Sequence, residues 1–313
     1  MTRWRRSLQL SVVLTIAAAT SVLAQAPDLR PELTMRADVR GISVSPAGVL
    51  WLTTFFSEVY RSDDGGRTWG EVKLPSIKAP DLSWSGDHLD QVTFFDATRG
   101  MISGHIGTNP TRILLTADGG GTWKAVPLPI EGLFWVYDVQ ATADGHAWLA
   151  GSSGDVLASD DYGQTWRVLA KPFSEEQRAM SVWFDSPLLG AAGSMDDGAV
   201  AMTRDGGRTW STFEAAKRSD VLRGCPGHYG DSRVDRVRIN AKRLIVAQCG
   251  GVFAASPETP RSWTAIHAAD KPLVDFDVTA AGNLIGVTND RHVIEQTKDG
   301  AVRALATLDR LRR

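Results

Sequence analysis

Seven polar residues of this chain have types and spacing that could do chemistry. Arginine side chains bind carboxylates through paired hydrogen bonds, and two carboxylates that flank a sugar linkage can hydrolyse it. The seven residues, each at the start of an apolar run, are Arg40, Asp90, Tyr137, Asp138, Asp235, Arg236 and Asp275. We interpret them as a binding site for a peptide, a glycan or a cation. The alternative is a polar lining whose groups need only hydration or internal partners.

A recurring eight-residue pattern identifies the elements that must position these residues. It reads S/T-x-D-x-G-x-T-W and occurs at residues 62–69, 116–123, 159–166 and 203–210. A worn fifth copy begins at Ser256, and the front half of a sixth begins at Thr297. The tryptophans that end the five copies are separated by 54, 43, 44 and 53 residues. A period of this length is typical of the blades of a β-propeller.

Turn chemistry accounts for every repeated residue of this octet. Its Asp can accept backbone N–H bonds, its Gly permits a positive φ, and its Thr and Trp favour the start of the next strand. We therefore predict structural roles, rather than catalytic or metal-binding ones, for its Asp, Gly and Trp positions. These positions are Asp64, Gly66, Trp69, Asp118, Gly120, Trp123, Asp161, Gly163, Trp166, Asp205, Gly207 and Trp210.

Each repeat contains four short strand-like segments, with the octet between the third and the fourth. The sequence predicts an all-β chain that forms a single β-propeller of four-stranded antiparallel blades, with six blades and seven as the alternative. The octets then mark one face of the ring, and the seven polar residues lie on the opposite face, where loops converge on the channel. Residues 31–36 are expected to close the ring beside residues 302–308.

The start of the chain has the features of a targeting signal. Three arginines precede an apolar run at residues 8–19, and small residues near Ala24 offer a cleavage site. We predict a secretory signal peptide at 1–24, an N-terminal arm at 25–30 and the propeller at 31–313. The protein is then periplasmic or secreted, with no stable membrane span after signal cleavage.

Composition narrows the partners and cofactors. A formal net charge of −2 over 313 residues argues against nucleic acid as a partner. The six histidines are scattered without metal-ligand spacing, so we expect no metal and no cofactor. In an exported protein Cys225 and Cys249 are predicted to form a disulfide, and two buried free thiols are the alternative. We expect a monomer with an unknown protein or glycan partner.

The octet resembles the Asp-box, or BNR repeat, of β-propeller proteins. Residues 92–100 and 112–120 are similar to the repeats of the photosystem II stability and assembly factor family and its bacterial relatives. This resemblance implies a propeller and an exported, non-catalytic scaffold that binds or assembles another protein or envelope component. Binding would use the channel face opposite the octets.

Asp-boxes also occur in sialidase-type propellers and in xyloglucan-cleaving enzymes, which leaves a glycoside hydrolase as the alternative function. A sialidase-like site would need a cluster of arginines, for which Arg40, Arg178 and Arg236 are the candidates. A two-carboxylate glycosidase would draw on Asp90, Asp138, Asp235 and Asp275, and the distances between these carboxylates would decide it.

Overall fold

Six sheets follow one another along the chain in a computed structural model of the protein. The structure describes residues 32–35, 39–54, 58–74, 88–105, 111–130, 135–174, 177–215, 233–239, 242–248, 251–267, 273–279, 283–288, 290–297 and 300–310. No helix occurs among these residues, and so none that could cross a membrane. The predicted all-β architecture with six blades is confirmed.

Each blade is an antiparallel sheet whose first strand in sequence is the innermost. Blades 1 to 3 are β2 (Val39–Val44), β3 (Leu50–Thr54), β4 (Val59–Ser62) and β5 (Gly70–Val72); β6 (His88–Phe94), β7 (Gly100–His105), β8 (Arg112–Thr116) and β9 (Lys124–Pro127); β10 (Val136–Ala141), β11 (Ala147–Gly151), β12 (Val156–Ser159) and β13 (Arg167–Val168). Blades 4 to 6 are β14 (Ala179–Phe184), β15 (Gly190–Ser194), β16 (Ala199–Thr203) and β17 (Ser211–Glu214); β18 (Val234–Ile239), β19 (Leu244–Gln248), β20 (Gly251–Ser256) and β21 (Thr259–His267); β22 (Leu273–Val278), β23 (Leu284–Thr288), β24 (His292–Gln296) and β25 (Val302–Arg310). Neighbouring inner strands contact one another around the whole ring, including β22 with β2.

The ring closes where the last blade meets the first strand of the described chain. Strand β1 (Glu32–Met35) pairs in parallel with the end of β25, with Glu32 opposite Thr307. The expected closure is therefore confirmed, and β1 is the outermost strand. Aliphatic side chains also pack together at this joint: Ile42 of blade 1 and Val287 of blade 6 belong to one buried cluster.

The four complete octets form turns with the same carboxylate and hydroxyl hydrogen bonds, and the indole bonds within the turn in the first three, whereas the indole of Trp210 donates to the carbonyl of Ala170. In the second octet, Asp118 accepts the backbone N–H of Thr122 at 2.8 Å and its hydroxyl at 2.7 Å. The hydroxyl oxygen of Thr116 accepts the N–H of Gly120, which has a φ of +90°, and the indole of Trp123 donates to the Gly120 carbonyl. The carboxylate bonds recur at Asp64, Asp161 and Asp205.

The worn fifth copy does not form this turn. Strand β21 starts at Thr259, and Ser256 pairs with Thr259 across a tight hairpin. The reason lies in two residues: Glu258 stands at the Asp position and Pro260 stands at the Gly position, so neither the carboxylate acceptor nor the positive φ is supplied.

Replacing Asp118 by alanine is expected to lower the midpoint of thermal unfolding by roughly 2–4 °C. Hydrogen bonds from Thr122 and Thr116 lower the pKa of Asp118 from 3.8 to about 2. A lowered carboxyl pKa stabilises the fold above the unfolded-state pKa, and that contribution is lost as pH falls through the folded-state pKa. The difference in midpoint between the wild type and Asp118→Ala, measured by calorimetry, should therefore shrink as pH falls from about 5 to about 2.

Asp63→Ala is the matched control for this measurement. Asp63 belongs to the first octet but is exposed and pairs with Arg61 instead of bonding the turn. A loss of stability as large as that of Asp118→Ala would contradict the structural role of the octet aspartates.

Candidate functional site

The channel-facing side chains come from equivalent positions on the six inner strands. Every inner strand has a β-bulge near its start, and the bulged residue has no partner in the register of the second strand. These six bulged residues, here called the rim, are Arg40, Asp90, Tyr137, Met180, Asp235 and Val274. A bulge changes the direction in which a side chain points. All six bulges lie on the face of the ring opposite the octets, and we call this face the top face.

Below the rim lie two further layers. The residues that follow each bulge, here called the floor, are Gly41, Gln91, Asp138, Ser181, Arg236 and Asp275. The residues two positions further on, here called the lower layer, are Ser43, Thr93, Gln140, Trp183, Arg238 and Asp277. Because side chains alternate along a strand, floor and lower layer share one face of each inner strand, and the lower layer is nearer the octets.

Arg236 closes the floor. Its guanidinium Nη2 donates to the side-chain oxygen of Gln91 at 2.8 Å, which joins blade 5 to blade 2 on the far side of the ring. Its Nε lies 2.7 Å from the carboxylate of Asp275. Only 5% of Arg236 is exposed. Burial acts against its charge, but Asp275 and Asp138 together raise the pKa of Arg236, so the guanidinium is charged inside the channel.

Gly41 makes room for this arrangement. A Cβ at this position would lie 2.7 Å from the side-chain oxygen of Gln91 and 3.1 Å from the hydroxyl of Thr53. The Gln91 side chain also donates to the backbone carbonyl of Ile42 at 3.3 Å. The one floor position without a side chain is therefore where the glutamine bound to Arg236 approaches the backbone.

Asp138 is the most deeply buried carboxylate of the floor. It has no exposed surface, and its Oδ2 accepts the backbone N–H of Val182 in blade 4 at 3.1 Å. Its Oδ1 makes no hydrogen bond within the described part of the chain. Burial raises the pKa of Asp138, and the charges of Arg236 and Arg238 act against that rise.

Other channel side chains also bind the backbone of the next blade. Asp275 accepts the N–H of Ile42 at 2.8 Å, and Asp277 accepts the N–H of Val44 at 2.9 Å, both across the closure from blade 6 to blade 1. Gln140 accepts the N–H of Phe184 and donates to its carbonyl. These side chains hold the joint between blades 6 and 1 and the joint between blades 3 and 4, on opposite sides of the ring.

The rim carries ion pairs rather than isolated charges. Arg40 is paired with Asp90 of the next blade, and Arg178 at the start of blade 4 donates through Nε to Asp196 at 3.0 Å. Tyr137 lies between these pairs: burial raises its pKa, and the positive charge of the neighbouring Arg178 opposes the rise.

At blade 5, Arg233 pairs with Asp235. Burial raises the pKa of Asp235, and the charge of Arg233 counteracts it. This rim carboxylate is therefore committed to an arginine, like that of Asp90.

The structure brings the seven sequence-predicted residues to one channel but divides them between two layers. Four lie in the rim (Arg40, Asp90, Tyr137 and Asp235), and three lie in the floor (Asp138, Arg236 and Asp275). The three candidate arginines of a sialidase-like cluster do not form one group, because each is paired with a different aspartate. Whether the seven residues bind a ligand stays a prediction.

The sequence reasoning missed the lower layer. Gln140, Arg238 and Asp277 each follow a predicted floor residue by two positions, so the period of two along a strand was the signal that pointed to them. It also missed Arg233 and Asp196, which lie outside the inner strands and are recognisable only as ion-pair partners.

Among the described residues, no group of three or more His, Cys, Asp or Glu side chains is arranged to hold a metal ion. The predicted disulfide between Cys225 and Cys249 lies outside the described residues, as do the predicted signal peptide at 1–24 and the arm at 25–30.

Asp138→Asn and Asp275→Asn are expected to change the free energy of unfolding in different ways. A raised carboxyl pKa stabilises the fold below the unfolded-state pKa, and that contribution is lost as pH rises toward the folded-state pKa. Asp138→Asn removes this loss while its side-chain oxygen can still accept the N–H of Val182. The variant should therefore lose less stability than the wild type between about pH 4 and pH 7 in urea unfolding.

Asp275→Asn, in contrast, leaves Arg236 without its ion-pair partner in a buried site. The expected cost is about 3–5 kcal/mol at neutral pH. Equal destabilisation by the two substitutions at pH 7 would show that Asp138 is as firmly ion-paired as Asp275, against the geometry described above.

Comparison with known proteins agrees with this architecture. No protein-family model matches the chain. It is 30% identical over 159 residues to the photosystem II assembly lipoprotein Ycf48 of Synechococcus sp. strain CC9902, a match that covers 49% of this chain and 45% of that protein. The chain thus spans less than half the length of this curated relative.

Two solved structures show the same fold. One, described as YCF48 bound to D1 peptide, superimposes with a TM-score of 0.58 at 17% identity and covers 88% of this chain and 82% of that one. The other, the GH74 enzyme of Niastella koreensis, gives a TM-score of 0.60 at 16% identity over 87% of this chain and 46% of that one. The chain is thus a six-bladed β-propeller that is similar in sequence to photosystem II assembly factors.

Proposed function

We propose that the protein is an exported, non-catalytic scaffold that binds another protein through the top face of its propeller. One observation carries the proposal: the four carboxylates that a glycosidase would draw on are each engaged by the protein itself. Asp90 and Asp235 are paired with arginines in the rim. Asp275 is paired with Arg236, and Asp138 binds a backbone amide of the next blade.

The internal contacts of these four carboxylates argue against glycosidase activity. A two-carboxylate glycosidase needs one protonated acid and one free carboxylate on either side of an accessible linkage. Asp138 and Asp275 are 0% and 3% exposed, so a substrate has no access to them. Asp90 and Asp235 are held by Arg40 and Arg233, so each of these carboxylates already has a cationic partner within the protein and is not free to act on a sugar linkage.

The top face has properties that suit binding. Arg178, Tyr137 and Arg40 form a continuous polar arc over blades 1 to 4, and each arginine is held in place by a carboxylate. Side chains fixed in this way lose little conformational entropy when a partner binds. Val274 and Met180 add apolar rim surface, with Val274 42% exposed, so the face combines apolar contacts with oriented hydrogen-bond donors.

The similarity to an assembly lipoprotein supports a protein as the partner. The structure described as YCF48 bound to D1 peptide supports the view that a propeller of this fold can hold a polypeptide. Export is part of the proposal and rests on the targeting signal at residues 1–24. These residues lie outside the described part of the chain.

Two arginines provide a matched test of the binding face. Arg178 lies on the top face, is 42% exposed and pairs with Asp196; Arg61 lies beside the octets, is 37% exposed and pairs with Asp63. Affinity-tagged wild-type protein is incubated with envelope extract from the source cells, and retained proteins are identified by mass spectrometry. Arg178→Ala is expected to reduce recovery of the retained protein roughly tenfold, and Arg61→Ala to leave it unchanged.

The purified protein is also assayed on sialosides and β-glucans. Turnover that disappears in Asp235→Asn would overturn the non-catalytic part of the proposal. Retention that depends on Arg61 rather than Arg178 would overturn the choice of face.

A further inference from the structure

The joint between blades 5 and 6 is packed differently from the other joints of the ring. At the other five joints, the described residues include a buried apolar cluster of eight to eleven side chains. At the joint between blades 5 and 6 the buried cluster has three members, Ala247, Val252 and Phe276. Because burial of apolar surface is the main force that holds packed sheets together, this joint is the least stabilised of the six.

The octet end of this joint lacks the side chains that fill a well-packed joint. Between blades 3 and 4, Trp148 stacks on Phe184 with ring centres 4.4 Å apart, and Phe184 is 1% exposed. The strand register places Ile245 and Val278 at the equivalent positions of blades 5 and 6. Ile245 is partly exposed, and Val278 is 37% exposed. Solvent therefore reaches the octet end of the joint.

Arginines also stand where another joint uses hydrogen-bond acceptors. Between blades 3 and 4, the side chains of Asp138 and Gln140 accept backbone N–H groups of the next blade. The equivalent residues of blade 5 are Arg236 and Arg238, and a guanidinium has no acceptor. These arginines therefore cannot bind the N–H groups of β22. The N–H of Val278 donates instead to the preceding side chain of its own strand, at 2.8 Å.

Two ion pairs connect the inner strands of blades 5 and 6. The Nε of Arg236 lies 2.7 Å from the carboxylate of Asp275, and the Nη2 of Arg238 lies 3.7 Å from that of Asp277. The cost of desolvating a buried ion pair offsets much of its attraction. These pairs therefore contribute less net stability to the joint than a large apolar cluster would.

The two blades are tied more firmly near the top face than near the octets. Strand β22 begins at the top face and follows β21 in the chain, so a covalent connection joins the blades there. The shorter ion pair, that of Arg236, lies in the floor, and the longer one, that of Arg238, lies in the lower layer. Toward the octets, the side-chain amide of Gln296 donates to the carbonyl of Ile266 at 3.0 Å. An opening of this joint would thus be hinged at the top face and widest at the octets.

Blade 6 is bound much more firmly on its other side. Asp275 and Asp277 accept backbone amides of blade 1, and that joint contains eleven buried apolar side chains. Strand β1, which precedes blade 1 in the chain, is the outermost strand of blade 6. Blade 6 therefore stays with blade 1 when it separates from blade 5.

We propose that the joint between blades 5 and 6 is a seam at which the closed ring opens from the octet face while the other five joints stay closed. Folded proteins open locally where few buried apolar contacts have to be broken. The rim residues Asp235 and Val274 flank the seam on the top face. Opening of the seam changes the distance between these two residues and with it the shape of the top face.

The test measures how fast a buried thiol is labelled in the full-length protein. Val252 in the seam and Val156 in the joint between blades 3 and 4 occupy equivalent positions in the third strand, and both are fully buried. Val252→Cys and Val156→Cys are treated with iodoacetamide under native conditions, mass spectrometry locates the label, and circular dichroism confirms the fold. Val252→Cys should be labelled at least about tenfold faster, because only the seam opens without global unfolding. Equal labelling rates would overturn the proposal.

Val278→Phe tests the packing of the seam without a cysteine variant. In an open seam the larger side chain gains buried surface, so the midpoint of thermal unfolding should rise by about 1–3 °C in calorimetry. Ile239→Phe is the matched control, because Ile239 holds the same strand position in blade 5 but is 2% exposed in a packed joint. Overpacking should lower its midpoint by about 3 °C or more. An equal loss of stability in the two variants would show that the seam is packed shut, against the proposal.

Discussion

In the described sheets, no strand pairs with the inner edge of the innermost strand of any blade. Each sheet ends at its innermost strand, and the inner strands of adjacent blades meet side by side around the channel. Backbone N–H and C=O groups on such an edge must find other partners when they are buried. Asp275, Asp277 and Asp138 accept amides of the next blade, and Gln140 bonds both an amide and a carbonyl. Much of the channel chemistry follows from this constraint.

Whether a part of the molecule could be predicted from the sequence depends on how far apart in the chain its hydrogen-bonding partners lie. The octets carry their own acceptors and glycines within eight residues, so turn chemistry alone predicted the strands, the blade count and the two faces. The same reasoning does not hold for the worn copy that begins at Ser256, because Glu258 and Pro260 stand where the turn needs Asp and Gly. Local pattern was sufficient wherever the bonds that fix an element join residues close in sequence.

The channel could not be predicted in the same way. Its bonds join residues far apart in the chain, as between Gln91 and Arg236 or between Ile42 and Asp275. The sequence identified charged residues at the right end of each inner strand. It did not indicate that Asp138 and Asp275 bind backbone amides, or that Arg40 and Arg178 belong to separate ion pairs. An aspartate that holds two blades together and an aspartate that binds a substrate look the same in a sequence.

The bulge at the start of each inner strand separates the requirements on two adjacent residues. The residue after the bulge points into a packed channel, so a substitution there disturbs a neighbouring blade. The bulged residue itself has no cross-strand partner in the register, and at Arg40, Met180, Asp235 and Val274 it is at least partly exposed on the top face. These four positions can therefore change in size, charge and polarity with less effect on the framework than the floor positions beside them. Binding specificity in such a molecule can change while the scaffold stays the same, because partly exposed bulged residues would contact a partner whereas the residues after the bulges hold the blades together.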